Sequence, residues 1–181
     1  RACYDESKRL AETLCQAYFH LYKLPVKVMR PFNVYGPGQR LDDARILPDL
    51  MKAALNRDPL VLFSDGRATR SFCYVRDAIA GMLYAMLSDA NGEAFNVGND
   101  EEEISIRDLA ARMADVAGPP ALSVEFRVNA DAQYVVDNPQ RRRPVLKKLR
   151  ALAPWAPQVS LDEGLSRTLR SYQELRDQQA G

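Results

Sequence analysis

Short apolar runs alternate along this chain with longer stretches of helical periodicity, and that alternation constrains its fold more than any other feature. Val26 to Phe32, Leu60 to Phe63, Phe95 to Val97 and Val124 to Val128 read as strands, and Ser71 to Val75 as extended. Between them, apolar residues recur at helical spacing. In residues 5 to 22 they fall at Leu10, Ala11, Leu14, Cys15, Tyr18, Leu21 and Tyr22, with Pro25 closing the helix. Ile46 to Asn56 is a second helix. Asp77 stands where it would cap a third, running to about Leu87. Ser105 opens a fourth to Ala117, with Asp108 at the capping-box position, and Gly118-Pro119-Pro120 breaks it. Two more are expected near Val145 to Leu152 and Leu161 to Leu175, with only the last few residues fraying. Strands alternating with helices, without an internal repeat, give an α/β class.

Bulk properties exclude more than they assign. At 181 residues the chain is long enough for one domain with a sizeable core. Its 25 basic and 24 acidic residues leave a net charge of +1, so no overall imbalance points to nucleic acid or a membrane surface. No apolar run approaches the roughly 18 residues of a membrane span, and no signal-peptide pattern is present. Cys3, Cys15 and Cys73 are odd in number and not at metal spacing, which suggests a reduced, cytoplasmic setting. The first residue is Arg1, inside what reads as an active-site segment, which suggests a fragment or a cleaved product.

Three groups of residues carry possible chemistry. Tyr4 and Lys8 are four apart, hence on one face of the first helix. An ammonium beside a phenol stabilises the phenolate, which can take a proton from a sugar hydroxyl while hydride leaves the same carbon. Such a pair also arises by chance in a chain with 8 tyrosines. Continuing the row through Ala11, Cys15, Tyr18 and Tyr22 follows the apolar face, so the sequence predicts a lysine heading a buried stripe, where an unpaired charge is costly. Arg30-Pro31-Phe32-Asn33-Val34-Tyr35-Gly36-Pro37-Gly38 is a strand ending in Asn and a glycine-rich turn. That is either an ordinary turn or a polar group at the sheet edge where α/β ligands bind. Arg40, Arg45, Arg70 and Arg141-Arg142-Arg143 lie outside helices, and the arginine fork suits diphosphate oxygens. Arg141 and Arg143 read as a solvated face, whereas Arg70, beside Phe72, Tyr74 and Val75, is expected to point into a cleft.

Two negative findings narrow the chemistry. His20 is the only histidine and falls off the Tyr4–Lys8 row, which argues against a histidine triad or a zinc site. The nine glycines form neither G-x-x-G-x-x-G nor G-x-G-x-x-G, so the dinucleotide-binding fingerprint is absent from this sequence.

Taken in order, the motifs resemble the NAD-dependent epimerase/dehydratase family, the extended short-chain dehydrogenases acting on nucleotide sugars. The likeness runs from Tyr-Asp-Glu-Ser-Lys-Arg at 4–9 and the 30–38 segment through Thr-Arg-Ser-Phe-Cys-Tyr-Val-Arg-Asp at 69–77. It continues through Phe-Asn-Val-Gly at 95–98 and Arg-Arg-Arg-Pro at 141–144 to Val-Ser-Leu-Asp-Glu-Gly-Leu at 159–165. The resemblance implies the C-terminal part of a Rossmann-type fold with a small mixed α/β substrate-binding subdomain, without the glycine-rich N-terminal half. Residues 1–35 would be the last helix and strand of the NAD-binding part. Residues 36–181 would mainly bind the nucleotide sugar, with some segments returning to the NAD-binding sheet.

The resemblance also implies roles. Tyr4 would be the general base, Lys8 its partner on the ribose of NAD, and Pro31 a neighbour of the nicotinamide. Asn33 would hydrogen-bond the diphosphate, Arg45 and Ile46 would lie along the ligand, and Val61 to Phe63 would form a slot for the base. Arg70 and Arg142 would clamp the phosphates. Tyr-Asp-Glu-x-Lys-Arg is most similar to the UDP-glucuronate decarboxylases, although Ser7 stands where their common form has glycine and Val145 where many relatives carry aspartate. A 4-epimerase and a dehydratase share the first chemical step; a non-catalytic nucleotide-sugar-binding or scaffold module is the alternative of another kind. A UDP-sugar is the expected ligand. A homodimer through the outward faces of residues 9–23 and 77–87 is the expected assembly.

Overall fold

The computed structural model describes residues 2–127 and 139–180. The apolar run after Pro25 becomes β1 (Lys27–Pro31), which lies parallel to β6 (Glu93–Val97), with Lys27 opposite Glu93 and Pro31 opposite Val97. A parallel pair needs a long crossover, and the intervening chain builds most of the second layer. β2 (Val34–Tyr35) pairs in parallel with β5 (Cys73–Tyr74), and β3 (Leu60–Leu62) with β8 (Val124–Phe126). β4 (Thr69–Ser71) is the middle strand of a third arrangement, antiparallel to β7 (Glu103–Ser105) and parallel to β9 (Arg141–Arg142).

Six helices are described: α1 (Ala2–Tyr22), α2 (Ile46–Asn56), α3 (Val75–Leu87), α4 (Ile106–Ala117), α5 (Lys147–Arg150) and α6 (Leu161–Ala180). Leu47, Leu50, Met51 and Ala54 of α2 meet Leu109 and Met113 of α4 and Leu161, Leu165 and Leu169 of α6. These are three- and four-residue spacings on each helix, the stripe that faces a core. Leu60 and Leu62 enter from β3 at the alternate positions of a strand. Burial of one such leucine contributes about 2 kcal/mol. A second cluster joins Phe95 and Val97 of β6 to Ala78 and Ala85 of α3, with Leu146, Leu149 and Trp155.

The sequence-based boundaries shift in several places, each for a local reason. The extended segment after Arg70 is two short strands separated at Phe72, and Val75 already begins α3. Asp77 does not cap that helix. Its N-cap is Tyr74, with no side-chain bond, while the buried Asp77 carboxylate turns away to accept from the backbone N–H groups of Gln158 (2.9 Å) and Val159 (2.8 Å). The helix expected near Val145 to Leu152 is the single turn α5, whereas α6 continues past Leu175 to Ala180. Ser105 does cap α4, its Oγ accepting from Asp108 N at 3.0 Å. Of the strand expected to reach Val128, the described part ends at Phe126; Val128, like Arg1, lies outside the described residues.

The largest correction concerns α1, which buries none of its residues. The row through Tyr4, Lys8, Ala11, Tyr18 and Tyr22, expected inside, is exposed; Tyr4 is 64% and Tyr22 65% accessible. Instead the neighbouring row of Glu12, Gln16 and Phe19 turns inward. Arg30 of β1 grips the Glu12 carboxylate (Nε to Oε1 2.7 Å), and Gln16 donates to the Gly92 carbonyl at 2.6 Å. The Phe19 ring lies over Gly92, where a Cβ would come within 2.4 Å of it. Both rows have helical spacing, and the polar bonds select the second.

Candidate functional site

A cavity of about 230 Å³ opens among the turn after β2, the N-terminal turn of α2, the end of β3 and the face of β4. Asn33, Arg45, Ile46, Val61, Phe63, Arg70 and Arg142 all line it. Residues more than a hundred positions apart in sequence thus meet at one surface. Tyr4, Lys8 and Pro31 do not line it, and neither does Arg40, whose guanidinium is tied to Asp42 (Nη2 to Oδ2 2.7 Å).

Asn33 reaches the cavity on a backbone in the left-handed region (φ 42°), which asparagine tolerates better than most residues. Its Nδ2 donates to the Ser71 carbonyl at 2.9 Å, and its own carbonyl accepts from Cys73 N at 3.2 Å. These bonds lock the turn onto β4 and β5. An amide nitrogen carries two N–H donors, and Ser71 takes one. The following Gly36 permits the close approach of Val75, whose Cγ1 would stand 2.4 Å from a Cβ there.

The cations come from three elements. Arg70, 6% accessible, projects from β4 with Nη1 donating to the carbonyls of Thr69 (2.6 Å) and Gln140 (3.5 Å). Arg142, from β9, is its register partner across the parallel pairing. Arg45 precedes α2 and pairs with Asp43 at 2.5 Å. Arg141 and Arg143 stay on the exposed surface, Arg141 held by Glu103 and Arg143 by the Asp100 carbonyl (Nε to O 2.7 Å).

The apolar side is Ile46, Pro48, Val61 and Phe63, with Tyr35 and Phe72 behind. Burial raises the Tyr35 phenol above its ordinary range, reinforced by the Glu102 carboxylate. Its hydroxyl donates to the Leu161 carbonyl at 3.3 Å, so Tyr35 acts as a neutral wall. Burial also raises the Asp49 carboxyl at the rim, against the pull of Lys52. Tyr35, Gln39, Asp49 and Phe72 were not singled out from the sequence; the turn motif contains Tyr35, but Gln39 and Asp49 have no sequence signal apart from their neighbours.

On α1, the Lys8 ammonium sits 5.4 Å from the centroid of the Tyr4 ring, so the two side chains lie together on the exposed face. Cys3 is exposed, Cys15 half-buried and Cys73 buried, all three as free thiols. Burial pushes the Cys73 thiol up to about 12, which leaves it unreactive. Among the described residues no group of histidine, cysteine and carboxylate side chains is arranged to hold a metal ion, and no helix is long and apolar enough to cross a membrane.

Comparison with known proteins adds an independent line. The sequence profile of the NAD dependent epimerase/dehydratase family matches residues 1–98. UDP-glucuronic acid decarboxylase 2 of Arabidopsis thaliana is 36% identical over 183 aligned residues, covering 100% of this chain and 39% of that protein. UDP-glucuronic acid decarboxylase 1 of Xenopus tropicalis is 36% identical over 99% of this chain and 41% of its own length. The chain therefore spans about two fifths of these relatives. Among solved structures, an epimerase from Methanothermobacter thermautotrophicus superposes with a TM-score of 0.83 at 31% identity, over 94% of this chain and 50% of that one. UDP-glucuronic acid 4-epimerase from Bacillus cereus, in complex with UDP-glucuronic acid and NAD, superposes with a TM-score of 0.78 at 31% identity, over 91% and 50%. The fold is thus that of half of a Rossmann-type extended short-chain dehydrogenase.

Proposed function

We propose that this chain, which belongs to the NAD dependent epimerase/dehydratase family, carries the nucleotide-sugar site and the proton-transferring tyrosine of an enzyme that decarboxylates UDP-glucuronate to UDP-xylose. The observation that carries the reading is the single cavity uniting Arg70 and Arg142 with the apolar Val61 and Phe63. Guanidinium forks suit a diphosphate, and an apolar slot suits a nucleobase. Arg45 and Ile46 lie along the ligand, and Asn33 donates its second amide N–H to the diphosphate.

The fit to NAD is partial. Tyr4 and Lys8, together on α1, and Pro31, at the C-terminal end of β1, suit the nicotinamide and its ribose. This sequence carries no G-x-x-G-x-x-G or G-x-G-x-x-G pattern, the glycine cradle that suits the cofactor's diphosphate. When bound, NAD⁺ supplies the acceptor for the C4 hydride and later returns it. Tyr4 takes the proton of the C4 hydroxyl through its phenolic oxygen, and Lys8 donates to the ribose. The resulting 4-keto sugar is a β-keto acid. Its C5–carboxylate bond breaks, CO₂ leaves, and the electron pair passes to the C4 oxygen as an enolate, which takes a proton at C5 from water. Tyr4 then returns its proton to the C4 oxygen as that carbon is reduced.

A second reading has its own support in the likeness to the Bacillus cereus 4-epimerase. There the 4-keto acid keeps its carboxylate and is reduced on the opposite face. A 4,6-dehydratase shares the same opening step. The full natural protein, given UDP-glucuronate and NAD⁺ and followed by NMR, separates them. Decarboxylation yields CO₂ and UDP-xylose; epimerisation yields UDP-galacturonate and no CO₂. Tyr4→Phe is expected to lower turnover by about 10²–10⁴-fold with UDP affinity unchanged. UDP binding without turnover of any nucleotide sugar would leave a binding or scaffold role.

A further inference from the structure

We infer that Glu103 is a positioning residue for the anion site: by pinning Arg141 it fixes β9 in register and holds Arg142 beside Arg70. The inference rests on the nucleotide-sugar reading of the cavity.

β9 is only two residues long, and it brings Arg142 against β4. The Arg70–Arg142 register opposes two like charges on one face, an arrangement that is destabilising across strands. A strand of only two residues makes few ladder bonds of its own, so a restraint from the other face matters to its register.

Alternation along the strands supplies one. Thr69, Ser71 and Arg141 share the face opposite Arg70 and Arg142, and Glu103 stands across from Ser71 on β7. From there one carboxylate reaches both neighbours. It accepts from Thr69 Oγ1 at 2.5 Å, from Arg141 Nε at 2.8 and 3.1 Å, and from Arg141 Nη2 at 2.8 Å. Arg141 thereby spans β4, and β7, β4 and β9 are tied by a bidentate, charge-assisted contact, the strong kind. These bonds hold the Glu103 carboxyl at about 2, so it stays ionised through the ordinary pH range.

Electrostatics alone and positioning predict opposite signs. Removing a negative charge near an anion site makes the local field more positive and tightens anion binding. Loss of positioning weakens it. The test is UDP binding by calorimetry in the full natural protein, for Glu103→Gln and Arg141→Gln, each alone and in an Arg142→Ala background. Each single variant is expected to weaken UDP by about tenfold, the scale of one charge-assisted contact. In the Arg142→Ala background neither should weaken it further, because the side chain being positioned is gone. The exchanged pair Glu103→Arg with Arg141→Glu should recover most of the affinity.

Unchanged or tighter UDP binding by Glu103→Gln overturns the inference, as does a full additional loss in the Arg142→Ala background. Should Glu103→Gln fail to fold, Arg141→Gln compared with and without Arg142→Ala carries the test, because loss of the exposed Arg141 charge weakens anion binding in both backgrounds whereas loss of positioning weakens it only where Arg142 is present. A different result would strike the parent reading instead: Arg70→Ala and Arg142→Ala both leaving UDP affinity intact.

Discussion

Arg70 and Arg142 stand directly opposite each other in the parallel pairing of β4 with β9, and both side chains line the same cavity. Like charges on one face of neighbouring strands are unfavourable, and a bound diphosphate offsets them. Arg142→Ala is therefore expected to leave thermal stability unchanged or slightly raised in the absence of ligand. It should also lower UDP affinity about tenfold and reduce the salt dependence of binding. Melting curves with and without UDP at low and high salt check all three. An Arg142→Ala protein that UDP stabilises as well as the parent would exclude Arg142 from the site.

Phe63 is 45% accessible at the mouth of the cavity, which leaves its ring open to a ligand. A nucleobase on its ring is worth about 1–3 kcal/mol by alanine substitution. Phe63→Ala is expected to weaken UDP by about tenfold or more while leaving inorganic pyrophosphate unaffected, because pyrophosphate meets the arginines and Asn33 but not the ring. Equal losses for both ligands would remove the base from this slot.

Local patterning made most of the elements readable. Ile46–Asn56 and the Ser105 cap of α4 were legible because three- and four-residue spacing and an N-cap hydroxyl are properties of neighbouring residues. Asp77 was misread for the complementary reason: a carboxylate in a first helical turn has the signature of a cap, and only the tertiary contact with Gln158 and Val159 redirects it. The inward face of α1 was ambiguous because two rows share helical spacing, and the bonds from Arg30 and to Gly92 that choose between them are distant in sequence. In the cavity, motif order singled out seven lining residues, whereas Gln39 and Asp49 entered through the path of the loop and the first turn of α2.

Glu103 gives the sheet a defined acid response. Hydrogen bonds from Arg141 and Thr69 lower its carboxyl from 4.5 in the unfolded reference to about 2. A depressed carboxyl contributes stability that is complete above the unfolded value and lost as pH falls through the folded one. The contribution is therefore present above about 4.5 and disappears between about 4.5 and about 2. Glu103→Gln should be less stable than the parent at neutral pH, and the two melting temperatures should converge in that acid window. A difference that persists undiminished to the lowest pH would show that the bond geometry, not the charge, is what the variant removes.

The exposed leucines of α1 and α3 make the assembly testable. Leu10, Leu14 and Leu21 on one helix, and Ile79, Leu83 and Met86 on the other, are all at least 46% accessible. If two copies pair through these faces, Leu14→Glu with Leu83→Glu places four carboxylates in the dimer interface, a costly arrangement without partners. Sedimentation of the full natural protein should shift from dimer to monomer. A dimer that survives both substitutions lies elsewhere.

Gly164 sets two general expectations against each other. It is a helical residue in α6, where glycine is about 1 kcal/mol worse than alanine, so propensity alone predicts that Gly164→Ala stabilises. Packing predicts the reverse. A Cβ at this position would stand 2.0 Å from Tyr35 Oη, 2.8 Å from Cζ and 3.1 Å from the Tyr74 ring. Tyr35 is 2% accessible and cannot swing into solvent, and its hydroxyl is bonded to the Leu161 carbonyl at the start of the same helix. Overpacking of a tight core costs about 1–3 kcal/mol, which exceeds the propensity gain. Gly164→Ala is therefore expected to lower the denaturation midpoint. Since Tyr35 also lines the cavity, it should weaken UDP binding as the ring is displaced. Adding Tyr35→Phe removes the closest atom and should restore part of the stability. A stabilised Gly164→Ala protein would mean that α6 and β2 separate freely, and that the glycine has no role in holding the cavity wall.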